Sequence, residues 1–549
     1  MNQPDFKGLR SMAGITWQGD KAQVSSSEAE IRSALLQLEK SFWVVSDQEQ
    51  IGLTSTGKPC LGTEGQLILG SVPALRMDSL GDRNFRITYG TRYAFYAGAM
   101  ANGISSEELV ISLGKQGLMG SYGAGGVSPA RIETAIQKIR EALPAGPYAF
   151  NLLNSPNEPA LEERTVGLYL KYHIPVVEAS AYLAMTAPLV QYRVAGLSRA
   201  PSGAVVIGNR VIGKISRLEM AQRFLEPAPA DILKILLEQQ KITPEQAELS
   251  KQVPMADDIT VEADSGGHTD NRPMVCMIPA FLALRDEIQE IHKYSQPVLV
   301  GAAGGIGTPD AALAAYILGA AYIVTGSINQ ACVESGASEH TRGLLAQMDM
   351  ADVAMAPAGD MFEMGVKVQV LKRGTMFAMR AQKLYELYTR YNSWEEIPPA
   401  EREKLEKTVF KRDFGSIWND TVKFFMERDP RQVERGNTNP KDKMALVFRW
   451  YLGLSSRWST MGEKGREMDY QVWTGPAMGA FNKWVKGTYM EAPQNRHVVD
   501  VARHILRGCA YLYRLRSLET QGIIFPPALQ KYIPEIIADE ENVETILQS

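Results

Sequence analysis

A glycine-rich turn carries the side chain of this sequence that is best suited to acid–base chemistry. Residues 263–273 read ADSGGHTDNRP, and His268 follows two glycines there. An imidazole titrates near neutral pH, so it can give or accept a proton during a reaction. The turn ends an apolar-alternating run, DITVEAD, that is typical of a strand. Either this turn is an exposed connection, or its glycines let the backbone approach a ligand beside the imidazole.

Two further glycine turns could bind an anion. Residues 302–310 read AAGGIGTPD and residues 324–330 read VTGSINQ, and each follows an apolar run. Glycine leaves backbone N–H groups free to point at a phosphate with no side chain in the way. The sequence has no GxxxxGK[ST] motif and no early GxGxxG motif, so it offers neither a P-loop nor a Rossmann site as an alternative place for a phosphate. We expect a phosphate-bearing cofactor at these turns, and FMN is the candidate.

Short strands that alternate with amphipathic helices must position the three turns. Eight apolar runs are separated by helical patterns: residues 93–99, 118–124, 148–153, 176–181, 211–216, 259–264, 298–303 and 322–327. Eight successive β/α units favour an α/β fold of the closed TIM (β/α)8 type over an open doubly wound sheet. The ligand site of such a barrel lies at the carboxyl ends of its strands. His268 and both glycine turns fall at those ends.

The chain is predicted to have three parts. Residues 1–85 form a small appended unit, residues 86–380 form the barrel, and residues 381–549 form a helical region in which the strand pattern fades. Residues 182–206 and 226–255 are predicted insertions in the barrel.

Composition indicates a globular protein without membrane spans. Of the 549 residues, 45% are hydrophobic and 22% are charged, and we find no run of eighteen apolar residues. The N-terminus lacks the pattern of a signal peptide. Four scattered cysteines show neither metal-type nor disulfide-type spacing, so we expect no metal site, reduced thiols and a cytoplasmic location. Whether the protein forms a homodimer stays open.

Charge is unevenly distributed along the chain. Residues 431–520 contain 15 Lys/Arg and 8 Asp/Glu, a net charge of +7, although the whole chain carries −4. Two interpretations stay open, a mixed solvated surface and a docking face for an acidic partner. No nucleic-acid-binding motif accompanies the charge, so we expect no nucleic-acid partner.

Several long strings resemble one family. YAGAMANGISSEELV, VEADSGGHTDNRP, GTPDAALA, TGSINQACVESGASEHTR and KMALVFRWYLGLSSRWS are similar to the PfaD family. Its members are trans-acting enoyl reductases of polyunsaturated fatty acid synthases and trans-acyltransferase polyketide synthases, within the nitronate monooxygenase-like barrels. The resemblance covers nearly the whole chain and is weakest in the first 80 residues.

The resemblance implies a set of cofactor-binding residues. FMN would contact Gly98, Ala99 and Met100 after the first strand, Asn151 in the third, and Lys214 in the fifth, with Gly267 allowing close approach of the backbone. Its phosphate would lie at Gly304, Gly305, Gly326 and Ser327. Asn151 would offer a donor and an acceptor, and Lys214 would favour the anionic reduced cofactor. Glu178 is not assigned to the cofactor.

The resemblance also implies the reaction. NADPH would reduce FMN, and hydride would pass to an α,β-unsaturated thioester on an acyl carrier protein, with His268 protonating the α-carbon. Asp270, Asn271 and Arg272 would orient His268 or contact pantetheine or NADPH phosphates. The alternatives are a nitronate monooxygenase-like oxidase, in which the histidine acts as a base, and a non-catalytic synthase subunit.

Overall fold

An antiparallel sheet precedes the barrel in the computed structural model, which describes residues 15–47, 50–62, 64–154, 156 and 159–537. Five strands pair in the order β3-β2-β5-β1-β4, namely β1 (Ile15–Gln18), β2 (Phe42–Asp47), β3 (Gln50–Thr54), β4 (Lys58–Leu61) and β5 (Gln66–Val72). Helix α1 (Glu28–Leu36) begins with a capping box, because the Ser27 and Glu30 side chains each bind the other residue's backbone N–H. The start of the predicted N-terminal unit, residues 1–14, lies outside the described residues.

Eight parallel strands close into a barrel, as predicted. They are β6 (Phe95–Ala97), β7 (Met119–Tyr122), β8 (Ala149–Leu153), β9 (Val176–Ser180), β12 (Arg210–Ile215), β13 (Asp258–Glu262), β15 (Leu299–Ala303) and β16 (Ile323–Thr325). Most of their residues are buried, which explains why most of the strands read as short apolar runs. The TIM-barrel prediction is confirmed.

Helices follow the barrel strands. They are α2 (Arg83–Tyr89) ahead of the first strand, then α3 (Glu107–Gly114), α4 (Pro129–Ala142), α5 (Pro159–Lys171), α6 (Ala187–Ala195), α7 (Leu218–Leu225), α8 (Ala230–Glu238), α9 (Pro244–Leu249), α10 (Met274–His292), α11 (Pro309–Ile317), α12 (Ser327–Gln330) and α13 (Glu339–Ala346). The predicted insertions contain α8, α9 and a hairpin of β10 (Leu197–Arg199) and β11 (Val205–Ile207).

A small sheet carries the histidine turn. Strand β14 (Gly267–His268) pairs with β18 (Lys367–Leu371), which also pairs with β17 (Val353–Pro357). These three strands were not predicted, and β14, with two residues, is too short to show a period.

The C-terminal region is helical, as predicted. Its helices are α14 (Phe377–Arg390), α15 (Pro399–Leu405), α16 (Phe414–Arg428), α17 (Pro430–Thr438), α18 (Pro440–Met461), α19 (Ala477–Val485) and α20 (Val498–Thr520). Helix α20 packs against α11 and α3 and against strand β5. Its buried Arg514 donates hydrogen bonds to the carbonyl oxygens of Leu35, Gln37 and Lys40. The last long helix therefore joins the barrel to the N-terminal sheet. The division at residues 85 and 380 stays a prediction.

Candidate active site

The two glycine turns lie at the carboxyl ends of adjacent barrel strands. Gly304 and Gly305 follow β15 with φ angles of +82° and +75°, a region that favours glycine. A Cβ on Gly304 would lie 2.6 Å from the backbone of Ala263, so this glycine packs on the end of the neighbouring strand. A Cβ on Gly305 or on Gly326 would meet no atom within 4 Å. The turns thus border open space that a ligand can enter.

The first strand ends against the same turns. Gly98 donates its N–H to the Thr325 carbonyl oxygen over 3.0 Å, and a Cβ on Gly98 would lie 2.9 Å from Val324. Ala99 donates its N–H to Glu178 Oε2 over 2.9 Å, and Met100 donates its N–H to Ser105 Oγ over 3.0 Å. Residues 98–100 are therefore fixed beside β16, where the resemblance expects the cofactor.

A cation between two carboxylates lies at the barrel's carboxyl end. Lys214 Nζ is 3.3 Å from Glu178 Oε1 and 3.4 Å from Glu262 Oε1. Burial alone would lower the pKa of Lys214, but the charges of Glu262 and Glu178 outweigh it and raise that pKa above its usual value. Only 16% of the Lys214 side chain is exposed, so it is not a solvated strand end. The lysine carries its charge at neutral pH.

Asn151 is held within the same layer. Its amide nitrogen donates to the Glu178 carbonyl oxygen over 3.0 Å and to Ser180 Oγ over 2.5 Å. The amide donors are thereby used inside the protein, and Oδ1 is the atom left for a ligand. We expected Asn151 to offer a ligand both a donor and an acceptor. In the structure its side chain offers only the acceptor, Oδ1.

His268 pairs with a carboxylate far away in the sequence. Its Nε2 lies 3.2 Å from Asp360 Oδ1, in the connection between β17 and β18. Burial would lower the pKa of His268, but the hydrogen bond and charge of Asp360, with the charge of Glu262, raise it above its usual value despite Lys214. His268 is 39% exposed. It is therefore a histidine at the rim that can be protonated near neutral pH.

The residues after His268 face elsewhere. Asp270 accepts hydrogen bonds from Ser216 Oγ, over 2.8 Å, and from the Arg217 guanidinium. Asn271, with a φ of +49°, donates to Asp264 Oδ1 over 2.9 Å, and Arg272 reaches the Ser216 carbonyl oxygen over 3.5 Å. These bonds shape the turn, whereas Asp360 is the residue that pairs with His268.

A C-terminal segment borders the site, which the sequence did not predict. Ser327 Oγ accepts the Gly475 N–H over 3.1 Å. A Cβ on Gly266 would lie 2.7 Å from the backbone of Thr474, and Leu371 donates its N–H to the Val472 carbonyl oxygen over 2.9 Å. Residues 472–475 thus lie beside the histidine turn and the turn at Gly326.

Part of the basic excess of residues 431–520 is internal. Arg496 and Arg514 are each 1% exposed and donate to backbone carbonyl oxygens. The interpretation of all this charge as a docking face is therefore wrong for these two residues. Arg457 and Lys464 are exposed, and Arg457 follows Ser456, whose Oγ accepts a hydrogen bond from Asn102 over 3.0 Å.

Sequence reasoning left open whether Glu178 is structural or lies in the pocket, and it missed Glu262 and Asp360. A carboxylate inside the apolar strand VVEAS was a usable signal for Glu178. Glu262 is the last residue of β13, and in that segment only the alternation of apolar residues was considered. Asp360 had no signal, because 92 residues separate it from His268.

No helix in the described part of the chain is long and apolar enough to cross a membrane.

Comparison with known families identifies the chain. The nitronate monooxygenase family profile matches residues 88–390, and a profile described as the fatty acid synthase subunit PfaD N-terminal domain matches residues 17–74. This chain belongs to the PfaD family of nitronate monooxygenase-like barrels. A third profile, the inserted helical domain of [acyl-carrier-protein] S-malonyltransferase, matches residues 391–470 of this PfaD-family chain. The resemblance read from the sequence is confirmed.

The curated relatives of the PfaD-family chain are longer than the regions that match it. It is 50% identical to one of the polyunsaturated fatty acid synthase subunits of Thraustochytrium over 80% of this chain and 30% of the relative. It is 46% identical to polyketide biosynthesis protein PksE of Bacillus subtilis over 80% of this chain and 57% of that protein. The chain thus spans from about a quarter to somewhat over half of the length of the curated relatives it matches.

One solved structure aligns along its whole length. The enoyl reductase domain of MlnA, from the macrolactin biosynthesis cluster of Bacillus amyloliquefaciens, is 40% identical and has a TM-score of 0.77. The alignment covers 81% of this chain and 100% of that domain.

Proposed function

We propose that this protein is an FMN-dependent enoyl reductase that uses NADPH and acts on enoyl thioesters of an acyl carrier protein in polyunsaturated fatty acid or polyketide synthesis. The observation that carries the proposal is that a protonatable histidine and two open glycine turns share the carboxyl-end rim of one barrel. The enoyl reductase domain of MlnA supports the reaction, and the synthase subunits among the relatives support the pathway class.

The residues present fit a phosphate-bearing flavin. Gly305 and Gly326 leave space where a side chain would otherwise project, and backbone N–H groups at such turns bind phosphate. Asn151 Oδ1 can accept a hydrogen bond from a flavin ring, and Lys214 supplies a positive charge. FMN, when bound, supplies hydride to the β-carbon of the unsaturated thioester.

The chain's own residues handle the charges and the proton. His268 gives a proton to the α-carbon, which completes the saturated thioester. Asp360 stabilises the protonated imidazole before transfer. Glu178 and Glu262 hold Lys214 in place, since a cation between two carboxylates has little freedom to move. The histidine is then protonated again from solvent, to which it is partly exposed.

The carrier-protein partner is supported by the C-terminal region. Residues 391–470 match the inserted helical domain of an acyl-carrier-protein transferase. Helix α18 of that region contacts the turn after the first barrel strand, where Asn102 donates a hydrogen bond to Ser456. A carrier bound to this side would deliver its thioester toward the strand ends.

A nitronate-oxidising activity is the second candidate, because the nitronate monooxygenase profile spans the whole barrel. Its histidine would act as a base that removes a proton from the neutral nitroalkane, of which the nitronate is the deprotonated form. The two activities differ in their electron acceptor. An enoyl thioester takes hydride from the reduced protein, whereas the oxidase passes electrons to oxygen.

One experiment separates the candidates. Two samples of the purified protein are followed anaerobically by flavin absorbance, one reduced with NADPH and then given crotonyl-N-acetylcysteamine, the other given a nitronate and then air. We expect a yellow protein that bleaches with NADPH and regains its colour with the thioester, yielding the butyryl thioester. Bleaching of the oxidised protein by the nitronate, with colour regained in air and no oxidation of the NADPH-reduced protein by the thioester, would favour the oxidase, and a colourless protein that binds no added FMN would contradict both.

A further inference from the structure

His268 depends on a residue outside its own turn for its orientation. Asp270 is bound to Ser216 and Arg217, and Asn271 is bound to Asp264. The strand that carries His268 has only two residues, so backbone pairing alone fixes it weakly. The contact that reaches the ring is the 3.2 Å pair between Nε2 and Asp360 Oδ1.

The C-terminal region in turn holds the loop of Asp360. Arg449 of α18 donates Nε–H to the Gly359 carbonyl oxygen over 2.9 Å and pairs with Glu363 over 3.1 Å. Its side chain is 14% exposed. A Cβ on Gly359 would lie 3.1 Å from Leu452 Cβ, so loop and helix are in close contact. The buried Phe362 anchors the far side of the loop.

Charge favours this arrangement. The titratable groups that face His268 are Asp360, Glu262 and Lys214. Burial would raise the pKa of Asp360, but the hydrogen bond and charge of His268, together with Arg449, lower it below its usual value. Asp360 is therefore an anion when the histidine is protonated, and Arg449 adds a fixed positive charge behind it.

We propose that Asp360 and Arg449 are positioning residues of the active site. Asp360 holds the imidazole through Nε2, which leaves Nδ1 to exchange a proton with the substrate, and Arg449 holds the loop that presents Asp360. The barrel site is thus completed by helix α18 of the C-terminal region. The proposal rests on the role of His268 in the proposed function, but the ion pair and the loop contact can be tested without turnover.

The test is a titration of histidine in the whole protein. Protein labelled with 13C-histidine is titrated by NMR, and His268→Gln identifies the His268 signal among the six histidines. We expect Asp360→Asn to lower the pKa of His268 and Asp360→Glu to restore most of it. Asp270→Asn is the matched control, because it removes a carboxylate of the same turn that binds Arg217, and it should leave that pKa near the wild-type value.

Arg449 is tested in the same way. Arg449→Gln should lower the pKa of His268 although Asp360 is intact, because the loop is no longer held, whereas loss of the arginine charge alone would raise that pKa. Arg449→Lys keeps the positive charge and should give a smaller shift, and it serves as the second variant if the glutamine protein fails to fold. An unchanged pKa in folded Asp360→Asn protein overturns the role of Asp360. An unchanged pKa in both folded Arg449 variants overturns the role of the helix.

Kinetics link the pair to the reaction. In the oxidation of reduced protein by an enoyl thioester, Asp360→Asn should shift the alkaline limb of the rate to lower pH, because the acid form of His268 is lost earlier. NADPH reduction should keep its wild-type pH profile. If no thioester is reduced at all, the proposed function fails, while the NMR titration still decides whether Asp360 and Arg449 position His268.

Discussion

Glu178 and Lys214 lie on neighbouring parallel strands, offset by two residues in register, and their side chains meet with 3.3 Å between Oε1 and Nζ. Glu178 is fully buried, and its second oxygen accepts the Ala99 N–H over 2.9 Å. One carboxylate therefore connects the ends of three barrel strands: its own, that of Lys214 and the first. This connection fixes the residues that the resemblance places against the cofactor.

Removing the lysine charge should destabilise the protein. Lys214→Met leaves Glu178 and Glu262 without their cation, and breaking a buried ion pair costs about 3–5 kcal/mol. The double variant Lys214→Met/Glu178→Gln should recover part of that loss, because one buried charge is removed with its partner. Urea unfolding of the wild type, both single variants and the double variant measures the coupling. Additive effects of the two substitutions would contradict a direct pair.

Filling the open glycine turn should remove the cofactor. Gly305→Glu places a carboxylate where we expect a phosphate, and we expect colourless protein. Gly203→Glu is the matched control, since Gly203 also has a positive φ, +87°, and open space around its Cβ, but lies in the β10–β11 hairpin. The flavin content of each protein is measured as the absorbance near the flavin maximum per mole of protein. Full flavin content in folded Gly305→Glu protein would count against the phosphate site.

His268→Ala should separate the two half-reactions. Reduction by NADPH should persist, whereas oxidation by crotonyl thioester should fall by about 100- to 10,000-fold, the usual contribution of a general acid. Stopped-flow absorbance measures both steps. His292→Ala is the control, because His292 is exposed and stacks on Tyr294. Near-wild-type oxidation of the reduced His268→Ala protein would remove this histidine from the mechanism.

An exposed arginine near the barrel's carboxyl end should assist carrier docking. Arg457→Glu should raise the apparent KM for a carrier-bound enoyl substrate and leave the small free thioester nearly unaffected, because surface charge acts on encounter. The effect should shrink as salt screens the attraction. Lys234→Glu, on α8, is the control charge reversal at a side chain that is 79% exposed. Equal losses on both substrates would point to a folding defect, and no change would place docking elsewhere.

Asp258 should make stability depend on pH. Burial raises the pKa of this carboxyl to about 8, although Tyr89 donates a hydrogen bond to it. The folded-state pKa lies above the unfolded one, so the protonated group contributes stability that is present below about pH 4 and is lost as pH rises through about 8, at up to about 1.4 kcal/mol per pH unit. Asp258→Asn does not titrate.

The measurement compares urea unfolding of wild type and Asp258→Asn at pH 5 and pH 8. The stability of the variant relative to wild type should increase with pH. A difference that stays constant between the two pH values would contradict a raised pKa in the folded protein.

Local sequence determined the barrel and the phosphate turns. Each barrel strand is a short apolar run, because both faces of a parallel sheet are covered. Gly304 and Gly305 follow such a run directly and His268 follows one after a short glycine turn, so their place near the strand ends follows from chain order alone. The motifs also identified the family, since the strings that carry it are contiguous.

Only the tertiary structure decided what surrounds His268 and which charges are internal. Asp360, Arg449 and Gly475 make contacts at the site with residues that lie more than 80 positions away in the sequence. Motif spacing along the chain gives no signal for such long-range contacts. Net charge could not show that Arg514 is buried against backbone carbonyl oxygens. Burial is a property of how helices pack, and a count of lysines and arginines along the chain does not contain it.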